Sequence, residues 1–143
     1  MRLYLGGKMI GRPGFDFTVF DKAAKAIRAL GYEVFNPAER DRAVGFDPEG
    51  TDGSYDEVIR QGFNRREALG ADVSWIAERS EGMVALPTWR RSPGTKAEIA
   101  LHQGLYLPVW ELSDFLAEET SAQQIPPLRP GRKMMRGKDD DAA

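Results

Sequence analysis

The sequence predicts an α/β fold in which helices cover both faces of a parallel sheet, and three observations predict it. Short apolar, β-compatible runs alternate with longer segments of helical period. The first two runs are joined through a helix, the crossover that parallel neighbours require. The runs Arg2–Leu5, Tyr32–Phe35 and Gly82–Leu86 each stop at Gly6-Gly7, Asn36-Pro37 or Pro87, residues that break a strand and open a loop. A chain of 143 residues suits one such domain.

The elements follow in order. Arg2–Leu5 is a buried first strand, and Gly6–Gly14 is a glycine-rich loop. Phe20, Ala23, Ala24, Ile27 and Leu30 recur on one face of a 3.6-residue period and give a helix. Asp16 is placed to cap its start, and Gly31 sits where a left-handed residue closes it. Tyr32–Phe35 is the second strand. Residues 38–54, rich in Gly, Asp, Arg and Pro, are expected to form a long loop. Tyr55–Glu78 has helical composition, and two helices broken near Gly62 or Gly70 are expected there. Gly82–Leu86 is the third strand, Pro87–Gly94 a loop, and Thr95–Gly104 a helix with Ala97, Ala100, Leu101 and Gly104 inward. Leu107–Trp110 is the fourth strand and Ser113–Glu119 a short helix. The sum is a doubly wound, flavodoxin-like parallel sheet of four to five strands occupying residues 1–120. Residues 121–143 lack any apolar period and are expected to be a disordered tail, with the basic run Arg129, Arg132, Lys133, Arg136 and Lys138 solvated.

Composition narrows the function. A net charge of −2 argues against binding polymeric nucleic acid, which needs a strong basic footprint. With no cysteine and one histidine, neither a disulfide nor a zinc site is expected. No stretch approaches the roughly 20 apolar residues of a membrane span. The apolar run at the N-terminus is too short for a signal peptide, so the expectation is a cytoplasmic protein with no membrane contact, no metal and no cofactor.

In doubly wound sheets ligands bind outside the carboxyl ends of the strands. The loops Gly6–Gly14 and Pro87–Gly94 should therefore flank the crevice. Ser92 and Gly94 lead into a helix and offer a hydroxyl and free N–H groups to an anion. Glu98 follows in the first turn, but Thr95-x-x-Glu98 is also a capping box that needs no ligand. Trp89 beside Arg90 and Arg91 is either a lid on the core or a stacking surface for a base. Asp72 alone reads as a solvated or capping acid, Tyr4 as core, and His102 as a structural histidine.

Together these pieces resemble a family. Tyr4-Leu5-Gly6-Gly7-Lys8-Met9-Ile10-Gly11-Arg12-Pro13, Asp16-Phe17, and Gly31-Tyr32-Glu33-Val34-Phe35-Asn36-Pro37-Ala38-Glu39 look like the start of the nucleoside 2-deoxyribosyltransferase-like proteins. Asp72-x-x-Trp75 and Leu86-Pro87-Thr88-Trp89-x-x-Ser92-x-Gly94-x-x-x-Glu98 match a phage-associated branch in order and spacing. The resemblance covers roughly residues 2–110. It implies Glu98 as the nucleophile on C1′ of a 2-deoxyribose, Asp72 as the acid that assists the departing base, and Tyr4 as the group that orients Glu98. It further implies that Gly6, Gly7, Lys8, Met9, Trp89, Ser92 and Gly94 bind a nucleoside or its 5′-monophosphate, with no cofactor and with assembly into a homo-oligomer. Lys8 stands where the branch usually has proline, and Asp16 where asparagine is common. The first-loop arginine that binds phosphate in the nucleotide hydrolases has no clear match here; Arg12, Lys8 or Arg90 could substitute. The alternative is a nucleotide-binding module without catalysis.

Overall fold

The computed structural model describes residues 1–124 and Met135. Four strands, β1 (Arg2–Gly6), β2 (Glu33–Phe35), β3 (Gly82–Ala85) and β4 (Val109–Glu111), form one sheet. Six α-helices among the described residues surround it: α1 (Phe17–Arg28), α2 (Pro37–Ala43), α3 (Tyr55–Arg60), α4 (Arg65–Arg79), α5 (Pro93–Gly104) and α6 (Leu112–Gln124). The strand order is β2-β1-β3-β4 and every pairing is parallel. This is the doubly wound, flavodoxin-like architecture, with four strands among the described residues. The chain leaves β1 for β2 on one side and returns to β3 on the other. The topological switch point, where ligands bind in such sheets, lies between β1 and β3.

The two-residue period of β1 divides the core. Leu3 and Leu5 pack with Phe20, Ile27, Val84 and Phe115 on one face. Tyr4 points to the opposite face and packs with Ile76 of α4, Met83 and Ile99 of α5. A tyrosine placed in the strand's middle is thereby aimed between α4 and α5.

Several local expectations change. Residues 38–54 are not wholly loop: Asn36 caps α2 by accepting from the Ala38 N–H at 3.0 Å, and Pro37 takes the first helical position, where its missing N–H costs nothing. Asp16 stands at the N-cap of α1 but makes no capping bond. Its backbone is left-handed (φ 54°), and its carboxylate instead accepts from Arg12 Nε at 2.8 Å. The helix pair breaks at Gly62 (φ 90°), and Gly70 lies inside α4. Residues 51–53 strap the first loop, because the Gly11 N–H donates to the Gly53 carbonyl and the Gly14 N–H to the Thr51 carbonyl. The last helix reaches Gln124, past the expected boundary at 120, and the rest of the expected tail lies outside the described residues except Met135. The Met135 N–H donates to the Val109 carbonyl at 2.9 Å, on the edge strand β4. No helix among the described residues is long and apolar enough to cross a membrane.

Candidate active site at the switch point

The start of α5 bears on the capping reading of Glu98. The N-cap is Ser92, whose Oγ accepts from the Thr95 N–H at 3.1 Å and from the Thr95 hydroxyl at 2.9 Å. Capping is complete without Glu98, which lies a turn further on. The expected Thr95–Glu98 capping box is corrected accordingly. The inward face also differs from expectation: Thr95, Glu98, Ile99 and His102 are buried, Ala97, Ala100 and Gly104 are exposed, and Leu101 is half-buried. The face follows the polar residues because each finds a partner inside. His102 Nδ1 donates to the Glu98 carbonyl at 2.8 Å, and Ser80 Oγ lies 2.7 Å from Nε2. Burial lowers the pKa of this imidazole, so it is a neutral structural group, as expected from sequence.

The carboxyl of Glu98 is 5% exposed and accepts a hydrogen bond from the Tyr4 hydroxyl. Burial first, then the charge of Glu98, holds the tyrosine pKa well above its usual value, so it remains a donor. Its ring is fixed by stacking on Phe35 at 5.5 Å and by Trp75 at 6.2 Å. This explains the Asp72-x-x-Trp75 spacing: residues three apart share a helix face, so α4 presents Trp75 to the tyrosine ring and Asp72 to the cleft. Asp72 Oδ1 is shielded from solvent and accepts no hydrogen bond. Burial raises the Asp72 pKa to about 7, with the charge of Asp41 adding and Arg40 and Tyr4 opposing. Burial raises Glu98 to about 8, opposed by the Tyr4 hydrogen bond and assisted by Asp72.

These acids line a cleft of about 190 Å³. The loop after β1 contributes Gly7, Lys8, Met9 and Ile10; the α4 face contributes Arg65, Ala68, Leu69 and Asp72; the entry to α5 contributes Ser92, Gly94, Thr95 and Glu98. Asp41 and Phe63 also line the cleft. Of the residues expected to bind substrate, Gly7, Lys8, Met9, Ser92 and Gly94 line the cleft, whereas Gly6 is buried beneath it. A Cβ on Gly6 would meet Met83 Cε at 2.5 Å, so this glycine serves packing against β3. Trp89 is not among the lining residues. Its indole N–H donates to Glu111 at 2.9 Å, the Arg90 guanidinium lies 4.5 Å from its ring centre, and it packs against the Tyr4 side of the core. Arg12 and Arg90 are engaged with Asp16 and Glu111. Among the described residues, the cations that line the cleft are Lys8, Arg65 and Arg91.

Sequence reasoning missed Arg65 and Asp41. The period Arg65, Ala68, Leu69, Asp72 is one helical face and could have shown the first. Asp41 lay in a segment taken for loop, although Asn36-Pro37 is a helix start. Among the described residues, no group of three His, Asp or Glu side chains is arranged to hold a metal ion.

Comparison with known proteins adds one finding. Residues 1–111 match a family described as a domain of unknown function (DUF4406). The chain belongs to the DUF4406 family. The match takes in β1 through β4, and therefore the strands, both flanking loops and every cleft residue of this DUF4406 domain. No curated protein and no solved structure matches the chain.

Proposed function

We propose that the cleft cleaves or transfers at the N-glycosidic bond of a 2-deoxyribonucleoside or its 5′-monophosphate, as a member of the nucleoside 2-deoxyribosyltransferase-like proteins. The observation that carries this reading is the buried Glu98 carboxyl on the Tyr4 hydroxyl, beside Asp72 with its unbonded Oδ1, at the switch point of the sheet. A Glu98 oxygen attacks C1′ as the C1′–N bond breaks. The bond's electrons leave with the base, which takes the proton of Asp72. Water, or a second base, then displaces Glu98 from C1′. The Ser92–Gly94 turn with Lys8 and Arg65 supplies donors for a phosphate or a sugar hydroxyl at the mouth.

The test is incubation with a panel of deoxynucleosides and deoxynucleotides, followed by chromatography for free base. Release by the wild type and its loss in Glu98→Gln are expected; release by Glu98→Gln at the wild-type rate rules the nucleophile out. Calorimetric binding without release by either protein would favour the second reading, a nucleotide-binding module, which the same cationic mouth supports. We further propose a homo-oligomer, on the exposed Tyr55, Ile59 and Val73 of α3 and α4. A monomer mass by light scattering refutes it.

A further inference from the structure

The reading above gives no role to one buried acid in the cleft. Asp41 of α2 is 3% exposed and lines the same cleft as Asp72 and Glu98. Its position is fixed by its neighbours. One Arg40 guanidinium donates to Asp41 Oδ1 at 3.1 Å and to the Glu67 carbonyl at 3.4 Å, which ties α2 to the first turn of the helix that carries Asp72. The Phe46 N–H donates to the Asp41 carbonyl at 3.0 Å and holds the end of α2.

Two buried acids that share a cleft do not ionise together readily, and the one with its own cation ionises first. Asp41 has that cation in direct contact, whereas Asp72 Oδ1 has no partner at all. We propose that Asp41 is a positioning residue that keeps the proton on Asp72, so that the cleft meets its substrate with Asp72 as the proton donor. The proposal rests on the glycosidic reading of the site. In each turnover the proton leaves with the base, and the water that releases the sugar from Glu98 returns one to Asp72.

The charge field around Asp72 is consistent with this division. Asp41 and Arg40 act from α2, Tyr4 from β1 and Glu98 from α5. Lys8, Arg65 and Arg91 line the cleft from the loop after β1, the start of α4 and the turn before α5. Burial raises Asp41 as well, but its bonded Arg40 opposes the rise directly, while the same guanidinium reaches Asp72 only through space.

The test reads the proton without turnover. The full chain, labelled with carbon-13 at the aspartate side-chain carboxyls, is titrated by NMR, with the Asp72 and Asp41 signals assigned by their loss in Asp72→Asn and Asp41→Asn. In the wild type Asp41 is expected to ionise at lower pH than Asp72. In Asp41→Asn the Asp72 midpoint is expected to fall by about 0.5 pH or more, because a like charge has been removed. The alkaline limb of base release should fall by the same amount. An Asp72 midpoint unchanged in Asp41→Asn overturns the proposal. Should that variant not fold, the wild-type titration decides: Asp72 ionising before Asp41 overturns it too. Absence of base release with an intact Asp72 shift would sink the glycosidic reading while the Asp41–Asp72 coupling stands.

Discussion

Tyr4 is the residue on which the other side chains of the site converge. It lies in the middle of a strand, is 1% exposed, and would be an ordinary core residue except that its hydroxyl meets the Glu98 carboxyl. Two substitutions separate its roles. Tyr4→Phe keeps the ring against Phe35 and Trp75 but removes the donor, so Glu98 loses the hydrogen bond that favours its ionised form. Base release should fall by roughly 10- to 100-fold at neutral pH, and less at alkaline pH where Glu98 ionises unaided. A rate loss equal at all pH values would instead show that the hydroxyl contacts substrate. Glu98→Gln should lose several orders of magnitude in rate while retaining nucleotide binding, since Ser92, Lys8 and Arg65 remain. Calorimetry on this variant would show a lost binding site if Glu98 were mainly a binding residue.

The elements show how the cleft is held and what sequence could tell of it. The four strands, α1, α5 and the broken helix pair were legible because apolar period and glycine or proline punctuation agree there. That Tyr4, Asp72 and Glu98 gather at one cleft was suggested by resemblance, not by local pattern: Tyr4 reads as core, Asp72 as a surface acid and Glu98 as a cap until α4, α5 and β1 are brought together. What stayed hidden depends on contacts between distant segments. The 51–53 strap on the first loop is one case. Gly53 has φ 77°, and a Cβ there would lie 1.9 Å from the Arg12 carbonyl oxygen, so no other residue fits. Gly53→Ala should therefore unseat the loop that carries Lys8, Met9 and Ile10, destabilising the fold by about 2–4 kcal/mol and weakening ligand binding. Urea unfolding together with calorimetry checks both effects; a wild-type midpoint would mean that the strap is dispensable. The face of α5 is the second case. Alanine and leucine content pointed to Ala97 and Ala100, but the helix turned toward Glu98 and His102, whose partners are about 20 to 90 residues away in sequence.

At the scale of the whole molecule, the acids that serve the cleft act against the stability of the fold. Asp72, Glu98 and Asp41 all have pKa values raised by burial, so the folded state holds their protons more tightly than the unfolded chain does. Their contribution is fully present below the unfolded carboxyl range and is lost as pH rises toward about 7 for Asp72 and about 8 for Glu98. Two other groups work in different windows. Asp21 and Glu39, held low by bonds from Arg42 and Arg28, cost stability only as pH falls below about 4. His102, lowered by burial, costs stability only as pH falls below about 6.5. Between about pH 6.5 and 8, therefore, the cleft acids alone set the slope, at about 1.4 kcal/mol per pH for each group that stays protonated in the fold. The wild type should lose on the order of 2 kcal/mol across that interval, seen as a fall of several degrees in Tm. Glu98→Gln keeps only the slope that Asp72 contributes, so its Tm should fall less over the interval and exceed the wild type's at pH 8, while the two proteins converge toward pH 4. Calorimetric melts at four or five pH values decide the matter. A wild-type Tm that is flat from pH 6.5 to 8 would show that both Asp72 and Glu98 enter the fold already ionised, and a Glu98→Gln protein that melts below the wild type at pH 8 would show it of Glu98.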